Sequence, residues 1–279
     1  MLRFAVIGSP VAHSKSPAMH GAAYRALGLR HVYEKLETNA EELASRVDAL
    51  RAGTFAGLNV TVPHKTPVLS LVDTLDASAR AMGAANTLVR SPSGEVRAYN
   101  TDAPALREEL ARLATSAGVF EGRSAIVLGT GGAARAAIFA LGQLGVSRVI
   151  VRGRREREDL TGVLAKSRPS ARLEFEPLDT PAVPDDLVSI VQATTAGMAG
   201  SSVPGELVAD AIAWAQVPPD CVAYDVVYAP EVTPFVVRAK DRGLSTASGL
   251  GMLVRQGALA FELWLGIEPP LDVMRAALG

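Results

Sequence analysis

Short apolar runs rich in β-branched residues alternate with helical stretches along most of this 279-residue chain. Parallel strands need long crossover connections, usually helices, so this alternation is typical of α/β folds with mostly parallel sheets. The length fits one large domain or two modest ones. The predicted strands are 2–8, 32–37, 58–62, 87–90, 96–99, 124–128, 147–151, 188–193 and 222–227. The predicted helices are 16–27, 104–117, 132–144, 251–265 and 271–278. A further helix is predicted to begin at a capping box formed by Asn39 and Glu42.

Composition excludes several classes of protein. The 28 basic and 29 acidic side chains nearly cancel, which argues against a nucleic-acid-binding protein. Cys221 is the only cysteine, so neither a disulfide framework nor a cysteine-based zinc site is expected, and the four histidines lack metal-ligand spacing. No apolar run reaches the roughly 18 residues of a membrane span, and the N-terminus does not resemble a signal peptide. We therefore expect a cytoplasmic protein without metal, nucleic-acid or membrane partners, and either monomer or homodimer remains open.

A glycine-rich turn follows the predicted strand 124–128. Gly129, Gly131 and Ala134 have the Gly-x-Gly-x-x-Ala spacing of dinucleotide-binding turns. The first glycine allows the tight turn, the second lets the backbone approach a pyrophosphate, and the third small residue permits helix–strand contact. The phosphates would then lie at the positive N-terminus of the next helix. The alternative is a tight turn with a purely structural role.

An arginine cluster follows the next predicted strand, 147–151. An NAD site usually has an acidic residue about 20 residues after the glycines, whereas an arginine there accommodates the 2′-phosphate of NADP. Here the chain has Arg152, Arg154, Arg155 and Arg157, with no acid before Glu156. Guanidinium groups bind phosphate in a bidentate manner. The cluster favours NADP(H), and the alternative is a solvated, charged helix start.

Polar clusters follow or precede several predicted strands in the first hundred residues. Ligands of open α/β sheets bind beyond the carboxyl ends of the strands. Hydroxyl and amide groups there suit a polyhydroxylated small molecule, with Lys65 as an acid/base or carboxylate ligand and Asp102 as its partner. Structural alternatives are open: Ser16 and Asp102 could cap helices, and Asn59 could satisfy loop backbone. The residues concerned are Ser14, Ser16, Asn59, Thr61, Lys65, Asn86 and Asp102.

Several longer motifs carry a resemblance to a known family. They are Gly-Ser-Pro-Val-Ala-His-Ser-Lys-Ser-Pro-Ala-Met-His at 8–20, Gly-Leu-Asn-Val-Thr-Val-Pro-His-Lys at 57–65, Gly-Ala-Ala-Asn-Thr at 83–87, Asn-Thr-Asp at 100–102, Asp-Val-Val-Tyr-Ala-Pro at 225–230 and Gly-Leu-Gly-Met-Leu-Val-Arg-Gln at 249–256. With these motifs the chain resembles the shikimate dehydrogenases of the chorismate pathway over most of its length. The resemblance implies reversible, NADPH-dependent reduction of 3-dehydroshikimate to shikimate.

The resemblance also implies roles for individual residues. Lys65 and Asp102 correspond to the catalytic pair. The implied substrate ligands are Ser14, Ser16, Asn59, Thr61, Asn86, Tyr228 and Gln256. The implied cofactor ligands are Gly129, Thr130, Gly131, Gly132, Ala133, Arg152, Arg154, Arg157, Thr194, Val226 and Gly249. The implied domains are a substrate-binding domain, 1–103 completed by helices in 241–279, and a Rossmann-type NADP-binding domain, 104–240.

The chain departs from the family pattern in places. Gly153 stands where the family usually has an arginine for the 2′-phosphate, so Arg152, Arg154 or Arg157 must take that role. Gln192 replaces the first asparagine of an Asn-Ala-Thr-Ser stretch, and Ala103 follows Asp102 in place of a glycine. Two alternative functions stay open, a quinate/shikimate dehydrogenase that uses NAD and a ligand-sensing homologue without catalysis.

Overall fold

The computed structural model describes residues 1–114 and 119–279. Its residues form two units, Met1–Asp102 with Leu253–Gly279 and Ala103–Met252. The first division agrees with the change in sequence character near residue 103. The second division lies later than the predicted residue 241, because residues 245–247 form a strand of the second unit's sheet. The end of the predicted helix 104–117, residues 115–117, lies outside the described residues.

The described residues form two sheets and the helices that cover them. In chain order the strands are β1 (Arg3–Gly8), β2 (Val32–Glu37), β3 (Gly57–Val60), β4 (Thr74–Leu75), β5 (Thr87–Arg90), β6 (Val96–Tyr99), β7 (Ser124–Leu128), β8 (Arg148–Gly153), β9 (Arg172–Pro177), β10 (Leu187–Gln192), β11 (Val222–Asp225) and β12 (Ser245–Ala247). The α-helices are α1 (Ser16–Ala26), α2 (Leu43–Arg51), α3 (Ala77–Met82), α4 (Asp102–Leu113), α5 (Gly132–Gln143), α6 (Asp159–Ser167), α7 (Glu206–Ala209), α8 (Pro234–Asp241), α9 (Leu250–Leu265) and α10 (Leu271–Ala276).

The sheet of the first unit has the order β2-β1-β3-β5-β6-β4. β1 is parallel to β2 and β3, while β5 is antiparallel to both β3 and β6. The predicted hairpin of β5 and β6 is therefore confirmed. This arrangement brings the carboxyl ends of β1, β3 and β6 to one edge of the sheet, together with the amino end of β5.

The sheet of the second unit is parallel throughout, in the order β12-β11-β10-β7-β8-β9. This is the doubly wound order of dinucleotide-binding folds. Strands are added on one side of β7 up to β9 and on its other side from β10 onwards, so the strand order reverses between β7 and β10. The predicted class, a Rossmann-type lobe beside a mostly parallel α/β lobe, is confirmed. Every residue of β7 and β10 is buried, because helices cover both faces of a parallel sheet.

Some elements escaped the sequence analysis. β9 is half-buried and alternates charged with apolar residues, and β4 and β12 span only two and three residues. The missed helices α3, α6, α7 and α8 have between four and nine residues, too few for a clear helical period. The predicted capping box is confirmed, since Asn39 and Glu42 exchange two hydrogen bonds of 2.9 Å.

The C-terminal helices complete the core of the first unit. Trp264 of α9 packs on Phe4 of β1, with ring centroids 4.9 Å apart, and its Nε1 donates to the Leu88 carbonyl at 3.0 Å. α10 packs against α1. The close approach of Trp264 to β3 leaves no space for a side chain at Gly57, where a Cβ would clash with the indole ring. In the described part of the chain, none of the helices combines the length and apolar character needed to cross a bilayer.

The contact between Gly57 and Trp264 gives a stability prediction. Gly57→Ala forces a methyl group into the indole ring, so we expect the free energy of unfolding to fall by about 1–3 kcal/mol. The matched control is Gly162→Ala in α6, where a Cβ meets no atom within 4 Å. That control is expected to raise the free energy of unfolding by about 0.5–1 kcal/mol through helix propensity. Urea unfolding of both variants checks the pair, and equal shifts would contradict the packing argument.

Candidate functional site

The polar residues singled out from the sequence gather at one edge of the first sheet. Asn59 of β3 is in register with Val6 of β1 on one side and with Thr87 of β5 on the other. Thr87 is in turn in register with Tyr99, the last residue of β6. The antiparallel course of β5 therefore brings the residue before it, Asn86, next to the residues that follow β6.

Lys65 and Asp102 form a short, largely buried ion pair. Nζ of Lys65 donates to Oδ2 of Asp102 at 2.6 Å, and the two side chains are 15% and 5% exposed. The other carboxylate oxygen, Oδ1, accepts from Nδ2 of Asn86 at 2.8 Å. Asp102 opens α4, yet both of its carboxylate oxygens accept from side chains. The pair places an ammonium group, a proton donor, at the sheet edge.

Asn86 joins the parts of this edge. It is 2% exposed, and its Nδ2 also donates to Oγ1 of Thr101 at 2.9 Å and to Oε1 of Gln256 at 3.3 Å. Its Oδ1 accepts from the backbone N–H of Thr101 at 2.8 Å. Gln256 comes from α9, more than 150 residues later in the chain. A single amide thus links the start of β5, the end of β6 and the C-terminal helix.

Asn59 is held by three hydrogen bonds to protein groups. Its Nδ2 donates to the Asn86 carbonyl and to Oγ1 of Thr87, both at 3.1 Å. Its Oδ1 accepts from the hydroxyl of Tyr33 at 2.6 Å. Tyr33 was not predicted as a site residue, because a tyrosine in an alternating strand looks like an ordinary core aromatic. Its register position is opposite Phe4 and Gly57 rather than Asn59, so strand pattern alone does not reveal the contact.

Ser14, Ser16 and Thr61 follow β1 and β3. The helix N-cap is Lys15 rather than Ser16, so the capping alternative for Ser16 is wrong, and Oγ of Ser14 instead accepts from the Ser16 N–H at 3.3 Å. The Thr61 N–H donates to the Ile7 carbonyl at 2.9 Å. A Cβ at Gly8 would clash with the Thr61 methyl group, so glycine there permits the close approach.

The glycine-rich turn of the second unit has the geometry that its sequence requires. Gly129 has φ +112°, which only glycine adopts without strain, and a Cβ there would lie 2.9 Å from Cγ2 of Thr194. Gly131 precedes α5 and has no atom near its missing Cβ. The first N–H groups of a helix have no partner within the helix, and Gly131 before α5 is exposed, so an anion could bind there.

The arginine cluster is not a uniform set of free cations. Arg152 is fully buried, and its guanidinium group donates to Oε2 of Glu176 at 2.9 Å and to the carbonyls of Ala182 and Ala211. The predicted contact of Arg152 with a 2′-phosphate is therefore not supported by this geometry. Arg157 pairs with Asp159 at 3.3 Å, and Arg154 is exposed.

Gly153, the departure from the family pattern, lies next to the glycine-rich turn. A Cβ at this position would lie 2.9 Å from Cγ2 of Thr130. A side chain at residue 153 would therefore require the Thr130 methyl group to shift. The next arginine along the chain is Arg154, which is exposed.

A buried carboxyl group organises the ends of β10 and β11. Asp225 accepts from Nε2 of Gln192 at 3.2 Å, from the Val227 N–H at 2.9 Å and from Oγ1 of Thr233 at 2.5 Å. Burial raises the pKa of Asp225 to about 6. Gln192, the second departure from the family pattern, thus donates a hydrogen bond to the buried carboxyl group of Asp225.

The remaining predicted residues lie near this carboxyl group in sequence or in space. The Gly249 N–H donates to the Val227 carbonyl at 3.0 Å, and a Cβ at Gly249 would clash with the Val226 carbonyl. Oγ1 of Thr194 accepts from the Ala196 N–H at 3.0 Å. Tyr228 belongs to the second unit, whereas the other predicted substrate ligands belong to the first. Within residues 1–114 and 119–279, no group of three or more histidine, cysteine or acidic side chains could hold a metal ion.

Comparisons with known proteins point to one family. The model of the shikimate dehydrogenase substrate binding domain matches residues 6–88, and that of the shikimate 5′-dehydrogenase C-terminal domain matches residues 249–278. A protein of Symbiobacterium thermophilum named shikimate dehydrogenase (NADP(+)) is 39% identical, over 98% of this chain and 92% of its own length.

Solved structures resemble the chain over nearly its full length. A shikimate 5-dehydrogenase of Thermus thermophilus, in complex with NADP(H) and shikimate, is 38% identical with a TM-score of 0.79, covering 99% of this chain and 98% of that one. The ligand-free 5-ketofructose reductase of Gluconobacter sp. is 28% identical with a TM-score of 0.83, covering 99% and 97%. The same fold thus occurs with a second reductase activity.

The raised pKa of Asp225 gives a prediction for the pH dependence of stability. The folded protein keeps the proton between about pH 4 and 6, where the unfolded chain has lost it, so this group lowers stability as pH rises through about 6. We compare the free energy of unfolding of Asp225→Asn with that of the wild type. The difference in favour of the variant is expected to grow by up to about 3 kcal/mol from about pH 4 to about pH 7.5. Urea unfolding at both pH values measures this difference.

The control for that series is Asp179→Asn, which removes an exposed carboxylate of the same charge. Its free energy of unfolding is expected to stay within about 0.5 kcal/mol of the wild type at both pH values. Parallel pH curves for Asp225→Asn and the wild type would contradict the assignment of a buried, proton-retaining carboxyl group.

Proposed function

Because the chain belongs to the shikimate dehydrogenase family, we propose that it catalyses the reversible reduction of 3-dehydroshikimate to shikimate with NADPH. It is an oxidoreductase acting on a CH–OH group in aromatic amino acid biosynthesis. The observation that carries the proposal is the ion pair of Lys65 and Asp102, which lies among amide and hydroxyl groups at one sheet edge. We propose that the first unit binds the substrate and the second binds the cofactor.

Lys65 carries the proton transfer in this proposal. When bound, NADPH supplies the hydride that reduces the ketone carbon. The Lys65 ammonium group gives its proton to the oxygen on which negative charge develops, and in the oxidation direction the neutral amine takes the hydroxyl proton. Asp102 accepts from Lys65 through Oδ2 and so fixes the direction in which the remaining amine protons point.

The other side chains of the edge would hold the substrate. Asn86 contacts both Asp102 and Gln256, which suits the two amide side chains to the hydroxyl groups beside the reacting carbon. The family resemblance assigns carboxylate and hydroxyl contacts to the remaining predicted ligands, Ser14, Ser16, Asn59, Thr61 and Tyr228. Those assignments stay predictions, as do a cytoplasmic location and a state of monomer or homodimer.

The cofactor would bind through two groups of the second unit. The N–H groups at the start of α5, with Gly129, Thr130, Gly131, Gly132 and Ala133, suit the pyrophosphate. The 2′-phosphate would be bound by Arg154, with Arg157 as a second cation shared with Asp159. Arg152 is left out because its guanidinium group is buried in protein contacts. Val226 and Gly249 stay predicted ligands of the nicotinamide end, and Thr194 stays a predicted cofactor ligand.

The experiment that tests the proposal follows nicotinamide absorbance with purified protein. We expect NADP⁺ reduction with shikimate, and a kcat/KM at least about tenfold lower with quinate or with NAD⁺. NADPH oxidation with 5-ketofructose tests the activity of the Gluconobacter relative. Shikimate binding without any reduction of NADP⁺ would favour the ligand-sensing alternative, and a preference for quinate or 5-ketofructose would replace the proposed substrate.

The role of Lys65 gives a prediction for activity. Lys65→Ala removes the proton donor, and general acid–base catalysis contributes about 10²–10⁴-fold, so we expect kcat to fall by that factor. The affinity for NADP⁺, measured by calorimetry, is expected to stay unchanged. Lys240→Ala, at an exposed position of α8, serves as the charge-matched control with wild-type kcat. A kcat near the wild-type value in Lys65→Ala would refute the role.

The assignment of the 2′-phosphate ligand gives a prediction for cofactor choice. Arg154→Ala removes a charged hydrogen-bond donor, so we expect the Kd of NADP⁺ to rise about tenfold or more. The Kd of NAD⁺, which has no 2′-phosphate, is expected to stay within about twofold. Titration calorimetry with both nucleotides measures the two constants. Equal weakening of NADP⁺ and NAD⁺ would mean that Arg154 contacts a group common to both.

A further inference from the structure

We propose that Tyr33 is a positioning residue of the substrate site and acts through Asn59. The inference rests on the proposed function, since Asn59 is a predicted substrate ligand. Tyr33 belongs to β2 and Asn59 to β3, the two strands that flank β1. The Tyr33 side chain reaches past β1, and its hydroxyl donates to Oδ1 of Asn59 at 2.6 Å. Tyr33 is 8% exposed and Asn59 is 6% exposed.

The hydrogen bond from Tyr33 completes the contacts that orient the Asn59 amide. Both hydrogens of Nδ2 are used, one by the Asn86 carbonyl and one by Oγ1 of Thr87. Oδ1 has two lone pairs, and Tyr33 takes one of them. A flipped amide would place Oδ1 against the Asn86 carbonyl, acceptor against acceptor. Among the described residues the second lone pair of Oδ1 has no hydrogen-bond donor, which suits it to a hydroxyl group of the substrate.

The orientation matters for the rest of the site because Asn59 holds the start of β5. Its two donated bonds go to Asn86 and Thr87, and Thr87 in turn donates to Oδ1 of Asn86 at 3.2 Å. Asn86 contacts Asp102, which pairs with Lys65. A displaced Asn59 would therefore disturb both its own substrate contact and the amide that carries the catalytic carboxylate.

The ring of Tyr33 is held independently of its hydroxyl. The imidazole of His20 stacks on it, with centroids 4.4 Å apart and an interplanar angle of 3°. His20 is fully buried, and neither of its nitrogens has a hydrogen-bond partner among the described residues. Burial lowers the pKa of His20 to about 3, so the ring is neutral. His20 thus acts as a flat packing surface, and removing the Tyr33 hydroxyl leaves the ring in place.

The same aromatic cluster offers a matched control. Tyr24 of α1 is 1% exposed, and its hydroxyl has no hydrogen-bond partner among the described residues. Tyr24→Phe and Tyr33→Phe each remove one buried phenol oxygen from this cluster. The difference that matters for the test is that the Tyr33 hydroxyl contacts a predicted substrate ligand, Asn59.

Steady-state kinetics with shikimate and NADP⁺ test the inference. Tyr33→Phe leaves an acceptor of the buried Asn59 amide without its donor, so we expect kcat/KM for shikimate to fall about tenfold. The KM of NADP⁺ is expected to stay unchanged, as are both constants in Tyr24→Phe. In an Asn59→Ala background, Tyr33→Phe is expected to cause no further loss, because the residue through which it acts is gone.

Each outcome decides a separate point. If the wild type reduces NADP⁺ with shikimate and Tyr33→Phe matches Tyr24→Phe, the inference fails and the proposed function stands. A loss that is equally large in the Asn59→Ala background also overturns the inference, because Tyr33 would then act by another route. Absence of shikimate-dependent activity in the wild type would overturn the proposed function and the inference with it.

Discussion

The antiparallel pairing of β5 with β3 is the constraint on which the first unit's site depends. A fully parallel sheet would place the amino end of its next strand at the opposite edge, far from the ends of β1 and β3. Because β5 runs the other way, Asn86 begins it at the edge where β6 ends and Asp102 follows. The amide of Asn86 then joins both segments, and the ion pair with Lys65 forms beside it.

In the second unit, the candidate site depends on the close approach of backbone segments at two glycines. The turn at Gly129 contacts the segment after β10, and Gly153 at the end of β8 contacts Thr130 in the same turn. Glycine at these two positions therefore lets the ends of β7, β8 and β10 approach one another near the N-terminus of α5. Arg152, the residue before Gly153, is buried and pairs with Glu176.

Much of this organisation could be predicted from the sequence, and the exceptions have physical reasons. Apolar runs such as β7 and β10 are buried on both faces, so their composition alone identifies them. β9 and β12 depend on neighbouring strands for their conformation and carry weak local patterns. The predicted ion pair of Lys65 and Asp102 is present, whereas the burial of Arg152 and the bond from Tyr33 to Asn59 depend on tertiary contacts. Spacing along the chain carries no information on such contacts.

Two buried titratable groups, one in each unit, respond to acid in opposite directions. His20 resists protonation in the folded state, so stability is lost as pH falls from about 6.5 towards 3. Asp225 retains its proton up to about pH 6, so the cost of its buried charge disappears as pH falls through that range. Protonation of His20 therefore destabilises the unit that contains the Lys65–Asp102 pair. Protonation of Asp225 removes a buried charge from the unit that contains the glycine-rich turn. The stacking of His20 on Tyr33 thus links the aromatic packing beside Asn59 to a loss of stability in acid.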